Sequence, residues 1–162
     1  MTDRDNQQCC PEFDPGLWQD KEVNWQDKSF IRETVPQFMH IPLPGAFGKA
    51  VARMWQKIED AGARPEEKDF LMLTSETSPW KGEIYVNTTR EVPDAENVKI
   101  SGSFLTRVFD GPYNAVPKWI REMEGILAAR NKTAGNYYFY YTTCPKCAKK
   151  YGHNYVVVFA RV

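Results

Sequence analysis

A repeated order of hydrophobic patterns constrains the fold more than any other feature of the chain. From Phe30 onward the sequence reads strand, helix, strand, strand, and the same order then starts again. Val35 to Ile41 has the makeup of a strand, closed by Pro42 and Pro44. Phe47, Ala50, Val51, Met54, Trp55 and Ile58 recur at helical spacing, and Gly62 supplies a stop. Phe70 to Ser75 and Glu83 to Thr89 read as strands around the turn Ser78-Pro79-Trp80-Lys81-Gly82. A polar connector over residues 90–97 leads to a strand from Lys99 to Phe109, and Asp110-Gly111-Pro112 turns into a second helix. That helix carries the apolar stripe Val116, Trp119, Ile120, Met123 and Leu127, and Tyr137 to Thr143 and Tyr155 to Arg161 are the final strands.

An offset of 65 pairs Val51 with Val116, Met54 with Trp119, Trp55 with Ile120 and Ile58 with Met123. Gly45-x-Phe47 and Gly111-x-Tyr113 stand at the two helix entrances. Fixed element order with aligned apolar stripes marks an internal duplication. Three strands and one helix are too few to bury a sheet alone. The expected fold is therefore α+β: a tandem βαββ duplication forming an antiparallel sheet, both helices on one side, with a ligand groove at the module junction. The modules span about 30–92 and 98–162. Residues 1–29, with Asp14-Pro15-Gly16, Trp18 and Trp25, lack clean periodicity and are expected to form an arm packed on the domain.

A chain of 162 residues buries roughly 68–70% of its unfolded surface and needs no disulfide staples to form a core. Its 21 Lys+Arg balance 21 Asp+Glu, which argues against a nucleic-acid partner, since such binders carry a basic excess. No apolar run approaches the ~20 residues of a membrane helix, and Met1 to Gln8 is polar rather than signal-like. The expectation is a cytoplasmic protein with no nucleic-acid or membrane partner.

The run Gly102-Ser103-Phe104-Leu105-Thr106-Arg107-Val108-Phe109-Asp110-Gly111-Pro112-Tyr113, followed by Trp119, resembles the signature of the GyrI-like small-molecule-binding domains. In that family a strand ends at a Gly-Pro-Tyr turn that opens a helix, within a dyad of strand–helix–strand–strand modules. The resemblance covers about Phe30 to Val162. It implies a groove for flat hydrophobic or aromatic molecules, used for xenobiotic sensing or sequestration. One subgroup hydrolyses cyclopropane-bearing alkylating compounds in an aromatic cage, so the resemblance also implies a possible hydrolase. Two departures stand out. Phe109-Asp110 replaces the His common before the turn, and the run Tyr137-Tyr138-Phe139-Tyr140-Tyr141 lacks the acidic residue many relatives carry, which lowers the expectation of cationic drugs.

Twenty-two aromatic residues (5 Trp, 8 Tyr, 9 Phe) give such a cage ample material. Alternation places Tyr138 and Tyr140 on one strand face and Tyr137, Phe139 and Tyr141 on the other. Phe47 and Tyr113 stand at helix entrances, Phe109 ends its strand, and Trp80 tips a hairpin where it could fold over a groove mouth. These rings, with Tyr85, are the candidate ligand-binding residues. Each could equally serve packing. Glu83 shares a strand face with Tyr85, and a carboxylate desolvated beside a phenol suits a general acid. His40 is the second catalytic candidate. No Ser/His/Asp elbow and no Gly-rich phosphate loop is present.

Cys144-Pro145-Lys146-Cys147 has the spacing of a zinc knuckle, and Cys9 and Cys10 could complete a four-thiolate structural site. Free thiols or a redox pair are the alternatives. Metal analysis of protein purified without chelator should find about one equivalent of zinc, and less than about half an equivalent would dismiss the metal.

Overall fold

A computed structural model describes residues 13–39, 41–66, 69–112, 115–142 and 152–162. Among them the chain is α+β, with strands β1 (Lys21–Phe38), β2 (Ile41–Pro42), β3 (Met72–Ser78), β4 (Lys81–Asn87), β5 (Glu96–Asp110), β6 (Asn136–Tyr141) and β7 (Tyr155–Arg161). The helices are α1 (Ala46–Asp60) and α2 (Val116–Ala129). Two compact units result, one of Asn24–Gly102 and the other of Ser103–Val162 with the stretch up to Val23.

In the Asn24–Gly102 unit the antiparallel order is β2-β1-β4-β3. Alternation sends Ile31 and Val35 of β1 and Ile84 and Val86 of β4 to the face covered by α1, where Ala50, Met54 and Ile58 meet them. Gly62, with φ of 60°, stops α1. Ala63 N–H donates to Ile58 O (3.0 Å) and Gly62 N–H to Glu59 O (3.1 Å), the paired bonds of a Schellman end, and buried Ala63 joins the same cluster as Ile58.

The other unit pairs β6-β7-β5, also antiparallel. Leu105 and Phe109 of β5, Phe139 of β6 and Val156, Val158 and Ala160 of β7 pack with Trp119, Met123 and Leu127 of α2. Tyr137 and Tyr141 border this cluster, so the parity expected for the tyrosine run is the one observed. Burial, with the Glu124 carboxylate, raises the Tyr137 phenol above its ordinary range. Asn131, with φ of 57°, ends α2 as Gly62 ends α1: Lys132 N–H reaches Leu127 O at 2.8 Å.

Three differences from the sequence reading have physical causes. Residues 21–29, read as part of the arm, form the first half of β1, a strand whose side chains are mostly exposed or half-buried and so lack a hydrophobic signal. β5 begins at Glu96 inside the expected connector, because the Asn97 side chain both donates to and accepts from the Val92 backbone and fixes the entry. β3 and β4 are each shifted toward the hairpin, leaving only Pro79 and Trp80 between them.

Candidate functional site

Each unit carries a second buried face, away from its helix. In the Asn24–Gly102 unit that face holds Phe30, Arg32, Leu73, Glu83 and Tyr85. Register sets Tyr85 between Arg32 and Leu73, and Glu83 between Thr34 and Ser75. Arg32 and Glu83 are thus diagonal neighbours across the β1–β4 pair, within reach of long side chains.

The Tyr85 hydroxyl donates to Glu83 Oε2, and Arg32 Nη1 lies 4.0 Å from the same oxygen. Arg32 Nη2 also donates to Glu96 Oε1. The Glu83 side chain is only 12% exposed, against 52% for Glu96. The Glu96 hydrogen bond first, and the Tyr85 hydroxyl second, push the Arg32 guanidinium further up. The same hydrogen bond from Arg32 holds the Glu96 carboxyl below the usual range. Arg32 Nε is buried and has no hydrogen-bond partner among the described residues. Aromatic rings adjoin the cluster: Phe30 meets Tyr85 edge-on at 6.3 Å, and Trp25 lies 5.9 Å from Phe30.

The corresponding face of the other unit is aromatic. Phe159 sits opposite both Thr106 and Tyr138 in register. Its ring lies 5.3 Å from Trp18 and 6.4 Å from Phe104, and Phe104 lies 6.0 Å from Tyr138. The buried Thr106 hydroxyl donates to Trp18 O at 2.6 Å, which fastens the stretch before β1 to β5. Tyr140 shares the face of Tyr138 and has Phe13 at 6.4 Å.

The predicted site residues therefore divide. Glu83 and Tyr85 come together. Tyr138 and Tyr140 share one face, as alternation required. Phe47 borders the α1 cluster, and Phe109 stacks on Trp119 at 5.4 Å and 18° within the α2 cluster. Trp80 is 56% exposed at the hairpin tip, against Phe38 at 5.5 Å. His40, Tyr113 and the four cysteines lie outside the described residues, and the expected zinc site with them. Arg32, Glu96, Phe30, Trp25, Trp18, Phe104 and Phe159 were not singled out. The signal that could have found Arg32 and Phe30 is same-face parity on β1, readable once β1 is paired with β4.

A further acid–base contact joins the end of β5 to the start of β7. His153 Nδ1 and Asp110 Oδ2 are 2.8 Å apart, and Asn154 N–H donates to Asp110 Oδ1 at 2.8 Å. Burial raises the Asp110 carboxyl, but the His153 and Asn154 hydrogen bonds outweigh it and hold the group below its usual range. A carboxyl depressed on folding adds stability above its unfolded pKa and loses it as pH falls through the folded one. Asp110→Asn should therefore lower the unfolding free energy at pH 7 by under ~1 kcal/mol, because the contact is half-exposed. Urea titrations of both proteins should converge as pH drops below ~4. A difference that persists unchanged at pH 2.5 would show that the Asp110 charge is not its source.

Among the described residues no helix is long and apolar enough to cross a membrane. The fold is similar to the C-terminal domain of EcmrR, with a TM-score of 0.67 and 11% identity over 90% of this chain and 97% of that one. It is similar to a hydrolase from Listeria innocua, at 0.63 and 12% over 88% and 91%. An uncharacterized conserved protein from Listeria innocua matches at 0.62 and 10%, over 88% and 91%. Identities this low define the fold, and the fold is GyrI-like. The model of a family described as bacterial hydrolase matches residues 1–162, and the chain belongs to that family. No curated protein matches it.

Proposed function

We propose that the protein binds small apolar aromatic molecules and hydrolyses a strained or electrophilic bond in them, with Glu83 as the proton-transferring group. The observation that carries this reading is the nearly buried Glu83 carboxylate bonded to the Tyr85 hydroxyl on an aromatic face. Membership of a hydrolase family supports it. A cyclopropane conjugated to a carbonyl is the model substrate. Water gives a proton to Glu83 while its oxygen bonds to the strained carbon. The ring C–C bond breaks, and its electron pair moves through the conjugated system to the carbonyl oxygen. Arg32, whose Nη1 lies 4.0 Å from Glu83 Oε2, is the donor for that developing oxyanion. The proton then passes from Glu83 to that oxygen and restores the carboxylate.

Trp25, two rings from Glu83, provides the binding signal. A panel of planar aromatic and cyclopropane-bearing compounds should give saturable tryptophan quenching, and products heavier by one water for the strained members. Quenching without any product would instead support sequestration, a reading that the Trp18, Phe104, Tyr138 and Phe159 cluster also favours. Neither quenching nor product would remove the proposal.

A further inference from the structure

The hairpin formed by β1 and β2 ends in an apolar surface that lies outside the Glu83 cluster. Phe38 is 61% exposed, Met39 62%, Leu43 43% and Trp80 56%. These are neighbours rather than scattered residues. Leu43 N–H donates to Pro36 O (3.1 Å) and Gln37 N–H to Trp80 O (2.8 Å), which ties the hairpin to the β3–β4 tip. Leu43 therefore lies across from Pro36, which shares the strand face of Phe38, and the Phe38 ring meets Trp80 edge-on.

With ordinary side-chain areas these exposures amount to roughly 450 Å² of apolar surface, within the ~300–600 Å² range of the largest patch on a typical monomer and often functional. Residues 35–45 contain no Lys, Arg, Asp or Glu, and the tip 78–82 contains one lysine. An anionic bilayer surface is recognised by clusters of basic residues, which this hairpin lacks. Depletion of charge around aromatic anchors is instead the mark of the centre of a protein interface. A patch meeting its own copy about a two-fold axis would remove roughly 900 Å² of apolar surface in total. That is about the non-polar share of a standard ~1,600 Å² interface.

We propose that this surface is a two-fold interface with a second copy of the chain, with Phe38 and Trp80 as its anchors. The occupant follows from self-complementarity: a neutral, apolar, aromatic patch matches itself without leaving a charge buried. The inference is independent of the catalytic reading, because neither ring belongs to the Glu83 cluster.

Sedimentation velocity of the full chain from ~1 to ~500 μM should show a monomer giving way to a species of twice the mass. The double variant Phe38→Ser/Trp80→Ser should raise the dissociation constant at least ~tenfold with an unchanged far-UV circular dichroism spectrum. Leu43→Lys, at the patch edge, should weaken the dimer as well, and it decides the matter if the double variant misfolds. A monomer throughout the range would overturn the proposal, as would a dimer indifferent to these substitutions. Flotation of the monomer with neutral phosphatidylcholine vesicles, lost in the double variant, would overturn it in favour of a bilayer.

Discussion

Glu83→Gln is expected to lower turnover of a strained aromatic substrate by ~10²- to 10⁴-fold, the range that positioned proton transfer contributes. Glutamine keeps the shape and can still accept from the Tyr85 hydroxyl, but it cannot take a proton from water. Binding should survive, because the rings of Phe30, Tyr85 and Trp25 are untouched. The predicted signature is therefore a fall in kcat with a dissociation constant, read by tryptophan quenching, that changes less than about threefold. Tyr85→Phe, which removes the hydrogen bond and keeps the ring, should fall between wild type and Glu83→Gln. Equal turnover by wild type and Glu83→Gln would exclude Glu83 from the chemistry. Loss of binding in step with turnover would make Glu83 a structural partner of Arg32 instead.

Phe159→Ala should cost ~3–5 kcal/mol, the usual penalty for truncating a fully buried ring. The ring is completely buried and contacts Trp18 and Phe104, while register places Thr106 and Tyr138 opposite it. Its removal leaves a hole lined by aromatic edges that cannot close without moving β5 and β6, both paired to β7. For a chain of this length the melting temperature should fall by ~6–20 °C. Phe159→Leu fills most of the volume and should lose less than half as much. A drop below ~1 kcal/mol for the alanine variant, measured by urea denaturation, would show that this face is loosely packed.

The helices and the strand Tyr155–Arg161 were legible because their apolar spacing matches their burial. Met54 and Ile58 in α1, and Trp119 and Met123 in α2, are buried where the periodicity put them. The first half of β1 was not legible. Lys21, Glu22, Asp27 and Lys28 read as solvated chain, and only pairing of the backbone makes them a strand. In the candidate site, Glu83 and Tyr85 could be associated because they are two residues apart on one strand. Arg32 meets that pair from 51 residues before Glu83, through the β1–β4 register that no local pattern encodes, and Glu96 joins only through Arg32. Phe109 shows a related effect. Its place beside the turn suggested a ligand wall, but it has the parity of Leu105 and faces α2, where Trp119 receives it.

Strands β4 and β7 have burial on both sides: Ile84 to Asn87 in the first, and Val156 to Ala160 in the second, form unbroken buried runs. A strand with one wet face can accumulate neutral substitutions at every second position. These two cannot, so their exchanges must be matched by compensating ones on β1, β3, β5 and β6. The family's freedom to diversify then rests with the polar opening of β1, where Lys21 to Asn24 change side chains without reshaping either core. Descendants of this chain would diverge there first and in the two central strands last.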